Sequence, residues 1–271
     1  MTWRQRLGMA WGSFPGATRR WLVVVLTAAA ALTAFSFVGP PEQQLPAVLA
    51  LLGLLVVAQI VILWSLWRQR PEVRQARRAY LAGDYEGVIR VLEQAGEEKG
   101  LDPLGQTLLG NAYRQIGRLD DSERVLRAAC EAGPDGPFSA YGLGRTLLVQ
   151  GRYTEAAGYI GRALAKHGLP VIVADLAYAH YLADQRGEAA QSLAQAERLE
   201  LDPPRTLMMC YLAWRLAGDP ADEALRERLK RSDHGLGVLK AERDRFRETP
   251  YGAALAEDIA QLEMVLEGES A

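Results

Sequence analysis

Metal, nucleophile and phosphate chemistry each need particular residue types at particular spacings, and the chain is poor in all three. Its soft donors are His167, His180, His234, Cys130 and Cys210, and the nearest two stand 13 positions apart. A zinc or iron site draws ligand pairs from within a few residues of one another, so none is expected. The two cysteines lie 80 residues apart with no Cys-x-x-Cys, which excludes a disulfide framework and fits a reducing compartment. Gly142-Leu143-Gly144 lacks the Lys-Ser/Thr that completes a phosphate loop. No nucleophile elbow, kinase set or zinc-protease motif occurs. The expectation is a protein without catalytic residues, metal, cofactor or small-molecule substrate. What remains able to do chemistry is recognition by arginine, amide and tyrosine side chains, and those have to be positioned by the elements around them.

Charge separates two regions. Residues 1–70 hold six basic side chains and one acidic, whereas residues 71–271 hold 25 basic and 32 acidic, within a net charge of −2. No face-scale basic excess is left to neutralise phosphates, so nucleic acid is not an expected partner. The front region contains uncharged runs at 21–39 and 45–67, separated by Pro40-Pro41-Glu42-Gln43-Gln44. At 1.5 Å per residue these reach roughly 28 and 34 Å, against a hydrocarbon core of about 30 Å. The reading is therefore a transmembrane hairpin that contacts the lipid bilayer through two spans. Arg4, Arg6, Arg19 and Arg20 precede it, and Arg68, Arg70, Arg74, Arg77 and Arg78 follow it, with no Lys or Arg between. The positive-inside bias then places both termini and the body in the cytoplasm, at an inner (plasma) membrane. Ahead of the hairpin, Trp3, Leu7, Trp11 and Phe14 form one stripe of an expected amphipathic interfacial segment over 1–20.

The acidic body repeats. Gly83, Gly117 and Gly151 are spaced by 34, with Asp184 and Gly218 following at 33 and 34. Pro103, Pro137, Pro170 and Pro204 keep the same interval, as do Ala76, Gly110, Gly144, Ala177 and Tyr211. Ala79, Tyr113, Leu147, His180 and Trp214 form a further column, which assigns His180 to packing. In the second half of each unit Val88, Ser122, Ala156 and Ala189 are followed by Leu92, Leu126, Ile160 and Leu193, then by Ala95, Ala129, Ala163 and Ala196. A small residue lets two helices cross closely, a glycine breaks the first helix, and a proline opens the next unit. Each unit is thus a helix–turn–helix that buries its apolar face only by stacking on its neighbours.

The stretches LLGNAYRQIGRLDDSERVLRAACEAGP and AYGLGRTLLVQGRYTEAAGYIGRALAKHG resemble the tetratricopeptide repeat, a 34-residue helix–turn–helix unit, and the resemblance covers about 69–236. It implies an all-α protein: a two-helix transmembrane hairpin followed by an α-solenoid of tetratricopeptide-like helix pairs, of membrane-anchored, bacterial type. In that family the first helix of each pair lines the concave surface, and the implied function is protein binding there. One position past the small residue points inward, giving Arg77, Asn111, Arg145, Tyr178 and Leu212; neighbours on the same face include Arg114, Tyr141 and Tyr181. The candidate groove set is Arg77, Asn111, Arg114, Tyr141, Arg145, Tyr178 and Tyr181: guanidinium and amide donors for a partner's carboxylate or backbone, and rigid aromatic area.

Two helices over 237–271 are expected to cap the solenoid. Thr249 is the N-cap of the second; Leu255, Ile259, Leu262, Val265 and Leu266 face inward, and Glu257, Asp258 and Glu263 outward. The domain reading is 1–20, 21–67, 69–236 and 237–271. The functional expectation is a membrane-anchored scaffold or adaptor that recruits, assembles or stabilises a membrane protein complex. The alternatives are a homo-oligomeric structural protein and a regulator of a membrane protease or envelope enzyme.

Overall fold

The computed structural model describes residues 23–25, 27–30, 32–33, 40–67, 71–133, 136–217 and 223–267. The chain divides into two compact parts, one ending at Arg74 and one beginning at Gln75. In the first part, helix α1 runs Pro41–Trp67. It includes Pro41 to Gln44, which the sequence reading assigns to a loop, and Gln43 donates to the Pro40 carbonyl at its first turn.

The expected two-span hairpin, with the inner-membrane placement deduced from it, is corrected here. Among the described residues no helix is long and apolar enough to cross a membrane. The second apolar run, 45–67, lies within α1. Leu49, Leu52, Val56 and Ile60 of that run are exposed. The expected first span, 21–39, lies largely outside the described residues, and the amphipathic segment 1–20 lies wholly outside them.

The second part is built of helix pairs. After α2 (Pro71–Leu81) and α3 (Tyr85–Lys99) come α4 (Pro103–Gln115) with α5 (Leu119–Ala132), then α6 (Pro137–Val149) with α7 (Tyr153–Lys166). These are followed by α8 (Pro170–Leu182) with α9 (Arg186–Ala196), and α10 (Pro203–Ala217) with α11 (Glu223–Lys230). Each second helix from α4 onward packs on its own first helix, and the first helices also touch one another, α4 on α6 and α8 on α10. Pairs stacked in this way form an α-solenoid whose first helices share a face.

One backbone device ends the first helix of each of the first four repeats. Asp84 N–H reaches the Ala79 carbonyl, Arg118 that of Tyr113, Arg152 that of Leu147 and Gln185 that of His180, each at 2.9 Å. This is the six-to-one bond of a Schellman cap, which requires a left-handed residue one position earlier. Gly83, Gly117 and Gly151 take φ of 79°, 82° and 81°, and Asp184 takes 55° in the same role. The accepting carbonyls belong to the column Ala79, Tyr113, Leu147 and His180, so turn and packing are fixed by the same position.

The small-residue column has an equally local reason. A Cβ on Gly110 would lie 2.5 Å from Leu126 Cγ, and one on Gly144 would lie 2.6 Å from Ile160 Cγ1. The leucine or isoleucine of the second helix therefore lies against the bare backbone of the first. Leu126 and Ile160 are fully buried, as are Leu147 and Ala156 beside them.

Beyond α11, a 3-10 turn Asp233–Gly235 leads into α12 (Leu236–Arg245), and α13 follows (Pro250–Glu267). The Thr249 hydroxyl accepts from Gly252 N–H at 3.1 Å, the expected N-cap bond. Leu255, Ile259, Leu262 and Val265 are buried as the stripe predicts, and α13 packs on α12, α11 and α6. Asp258 is corrected: the helical wheel places it outward, yet it is 6% exposed. Its position on the wheel borders the apolar stripe, and the tyrosines of the repeats, which sequence alone does not bring near it, turn that border into an interior.

Candidate functional site

The candidate groove residues fall into two groups according to what faces them. Arg145 on α6 is the hub of the first. Its Nη1 donates to Asp175 Oδ2 at 3.0 Å and its Nη2 to Glu242 Oε1 at 2.6 Å. Tyr141 donates to the same Asp175 oxygen at 2.6 Å, Arg205 Nε to the other at 2.9 Å, and Tyr251 to Glu242 at 2.9 Å. Asp175, Arg205 and Tyr141 belong to the repeats, but Glu242 and Tyr251 belong to α12 and α13. Burial pushes the Asp175 carboxyl up; Arg145 and Arg205 outweigh it and hold it below the ordinary carboxylate range. The buried Asp175 carboxylate thus stays charged between two guanidiniums. Between this network and α12 lies a cavity of about 100 Å³, with Met208, Val238 and Leu239 among its walls.

Tyr178 and Tyr181 meet the second carboxylate of the C-terminal helices. Asp258 Oδ2 accepts from Tyr178 at 2.7 Å, while Oδ1 accepts from Tyr211 at 2.7 Å and from Tyr181 at 3.4 Å. The rings of Tyr178 and Tyr181 stack with centroids 6.1 Å apart, and Tyr251 meets Tyr178 edge-on at 6.2 Å. No cation touches Asp258 at ion-pair distance among the described residues. Burial raises its carboxyl above the usual range, even though the tyrosine hydroxyls and the Arg215 charge pull the other way. The Tyr178 phenol is raised too, by burial and by the Asp258 charge.

The second group lies on α2 and α4, where these helices leave the face uncovered. Arg77 is exposed and makes no ion pair among the described residues. Asn111 is half-buried, and its Oδ1 accepts from Arg114 Nη1 at 2.8 Å. The same nitrogen donates to the Gly142 carbonyl at 3.1 Å on the next repeat. Gly142 makes room for this: a Cβ there would lie 2.8 Å from Asn111 Oδ1. One residue along, Gln115 accepts from Arg245 Nη1 at the end of α12.

The structure therefore brings Tyr141, Arg145, Tyr178 and Tyr181 together and fills them from within the chain. It keeps Asn111 half-buried and Arg114 buried side by side, with no carboxylate on either among the described residues, and leaves Arg77 exposed. Sequence reasoning missed Asp175, Arg205, Tyr211, Glu242, Tyr251 and Asp258. The only available signal was that Asp175 is an acid inside the otherwise apolar run PVIVADLAYA. Among the described residues no group of His, Cys, Asp and Glu could hold a metal ion.

No protein-family profile matches the chain, and no curated protein matches it. Solved structures do resemble it. One is MamA from Desulfovibrio magneticus RS-1, 15% identical, with 74% of this chain and 99% of that chain covered and a TM-score of 0.43. MamA AMB-1 is 16% identical over 73% of this chain and 99% of its own, with a TM-score of 0.44. A Podosopora anserina chain described as a kinesin light chain with nearly identical TPR-like repeats is 19% identical, covering 73% and 95%, also at 0.44. A likeness this faint leaves ligand and activity open; the repeat architecture rests on the chain's own helix pairs.

Proposed function

We propose that the chain is a protein-interaction scaffold that holds a segment of a partner protein along the part of its repeat face formed by α2 and α4. The observation that carries this reading is the division of the face. From α6 onward its polar side chains are satisfied by Glu242 and Asp258, whereas Asn111, Arg114 and Arg77 have donors left over. The chain's own C-terminal helices act as an example of what the face accepts, namely helices presenting carboxylates and aromatic area. Recruitment of that partner into a larger assembly is the function such a scaffold serves.

The test is co-purification of the full-length protein from its native source with mass spectrometry, beside a variant carrying Asn111→Leu and Arg114→Met. A partner held by the wild type and lost by the variant supports the reading. A partner retained equally by both, or nothing captured but the chain itself, refutes it.

A further inference from the structure

Half of the large apolar side chains that stand exposed among the described residues belong to α1. Between Glu42 and Arg68 the sequence carries no charge to keep this helix in water. One line of it is covered: Ala47 is buried and Leu51, Leu54 and Ala58 are half-buried, at spacings of four, three and four. The far side of the helix is open. There Leu45, Leu49, Leu52 and Val56 are each more than half exposed, and the sequence carries the same alternation of four and three on through Gln59, Leu63 and Leu66. Such an alternation is the heptad seam along which helices supercoil. Leu45, Leu52, Gln59 and Leu66 hold one seam position, and Leu49, Val56 and Leu63 hold the other. Val48, Leu55 and Ile60, which flank the seam, are exposed as well.

We propose that α1 pairs in parallel and in register with α1 of a second copy of this chain. Area is the first argument for that occupant. The seam and its flanks take up about half the circumference of a helix roughly 32 Å long and 10–12 Å across, so a pair covers about 1,000–1,200 Å² in all, the size a specific interface needs. Gln59 is the second argument, as the one amide side chain between Leu45 and Trp67. In a parallel, in-register pair it lies opposite its own counterpart, and each amide oxygen can accept from the other's N–H. Opposite an aliphatic residue of an unrelated or antiparallel helix it would be buried with nothing to bond, which is costly. A single polar residue in a seam fixes register and strand number in this way. The third argument is the chemistry of the flanks. Helices that select a different partner do so through charged flanking side chains, and Val48, Leu55 and Ile60 carry none. An identical chain presents the same spacing and the same amide at the same level.

The experiment uses the full chain with Cys130→Ala and Cys210→Ala, and with one cysteine introduced either in the seam, Leu52→Cys, or on the covered line, Leu54→Cys. Under mild oxidation Leu52→Cys is expected to give at least about tenfold more linked dimer than Leu54→Cys, because a disulfide needs Cβ atoms about 3.5–4.5 Å apart. Sedimentation velocity should show the wild-type chain as a dimer and Leu49→Lys with Val56→Lys as a monomer. The helix pairs of that variant should melt where those of the wild type do, since α1 lies outside their part of the chain.

A monomeric wild type, or equal linking at Leu52→Cys and Leu54→Cys, would overturn the pairing. A dimer that survives Leu49→Lys with Val56→Lys would place the contact elsewhere in the chain and overturn it too. Linking that occurs only when Leu52→Cys and Gln59→Cys chains are mixed would make the pair antiparallel and overturn the register. Flotation of the chain as a monomer on phosphatidylcholine vesicles, with loss of the Leu52→Cys link, would give this face to lipid and overturn the second copy as its occupant. None of these outcomes touches the scaffold reading, which concerns the repeat face and has its own test.

Discussion

Asp258 is where the C-terminal helices meet the repeats through polar atoms alone, so replacing it isolates that contact from the apolar packing around it. In Asp258→Ala, Tyr178 loses its acceptor while remaining 5% exposed. Tyr211 keeps Gln261 Oε1 at 3.0 Å, and Tyr181 keeps the donation from Arg215 at 3.1 Å. The cost is therefore that of one charge-assisted bond broken with a buried orphan left behind, about 2–3 kcal/mol. For a part of this size that lowers the melting temperature by roughly 5–10 °C.

Asp258→Asn behaves differently. It keeps an oxygen for one hydroxyl and removes the charge that burial penalises, so at pH 8 it should melt no lower than the wild type. The sign with pH follows from the raised folded value. A carboxyl whose folded value lies above its unfolded one gains stability as pH falls through that window. Wild type should therefore gain on the asparagine variant between pH 8 and pH 5, closing or reversing the gap. Differential scanning calorimetry of the three proteins at both values tests this, with hydrogen exchange of α13 reporting where the change is felt. An alanine variant melting within 1 °C of the wild type would refute the tyrosine cage. An asparagine gap that does not change with pH would refute the charge argument.

Arg145→Met should cost about 3–5 kcal/mol by stranding Glu242, while Asp175 keeps Arg205. Adding Glu242→Gln should recover much of the loss in a double-mutant cycle read by urea denaturation, and strict additivity would refute the coupling. Asp184→Gly should stabilise by about 1 kcal/mol, because among the described turns the fourth alone places a side chain in the left-handed region. A lower melting temperature would show that Asp184 contributes something the turn geometry does not reveal. Gly110→Ala should destabilise by about 1–3 kcal/mol through the clash with Leu126, and an unchanged denaturation midpoint would show that the leucine has room to move.

The repeat architecture was legible because its determinants are local. The turn glycines, the residue whose carbonyl accepts the capping bond and the small residue facing the second helix all act within one unit of 34 residues. The same columns therefore carry both the sequence period and the backbone geometry. Asp184 departs from the turn column in sequence and still takes the same backbone bond, since aspartate tolerates the left-handed region better than most side chains. The front region shows the opposite case. A hydropathy run reports length and apolarity but not where a helix begins, and Pro41 to Gln44, read as a turn, form the first turn of α1. The inward direction of α13 was readable for its aliphatic residues, whose burial does not depend on what they meet, but not for Asp258, whose burial does.

The same distinction explains why the residue types of the groove were readable and their occupancy was not. Arg145 and Arg114 are alike in sequence, each an arginine on the inward side of a repeat helix. They differ because Glu242, 97 residues downstream, reaches one, and α12 ends before the other. Spacing within a repeat cannot encode a contact made by a segment outside the repeats. What it can encode is the demand: a guanidinium on a face with few acids of its own needs acceptors from elsewhere. At Arg145 the chain supplies a carboxylate from α12. At Arg114 the Asn111 oxygen and the Gly142 carbonyl serve instead, a difference between two neighbouring repeats that no column of the period records.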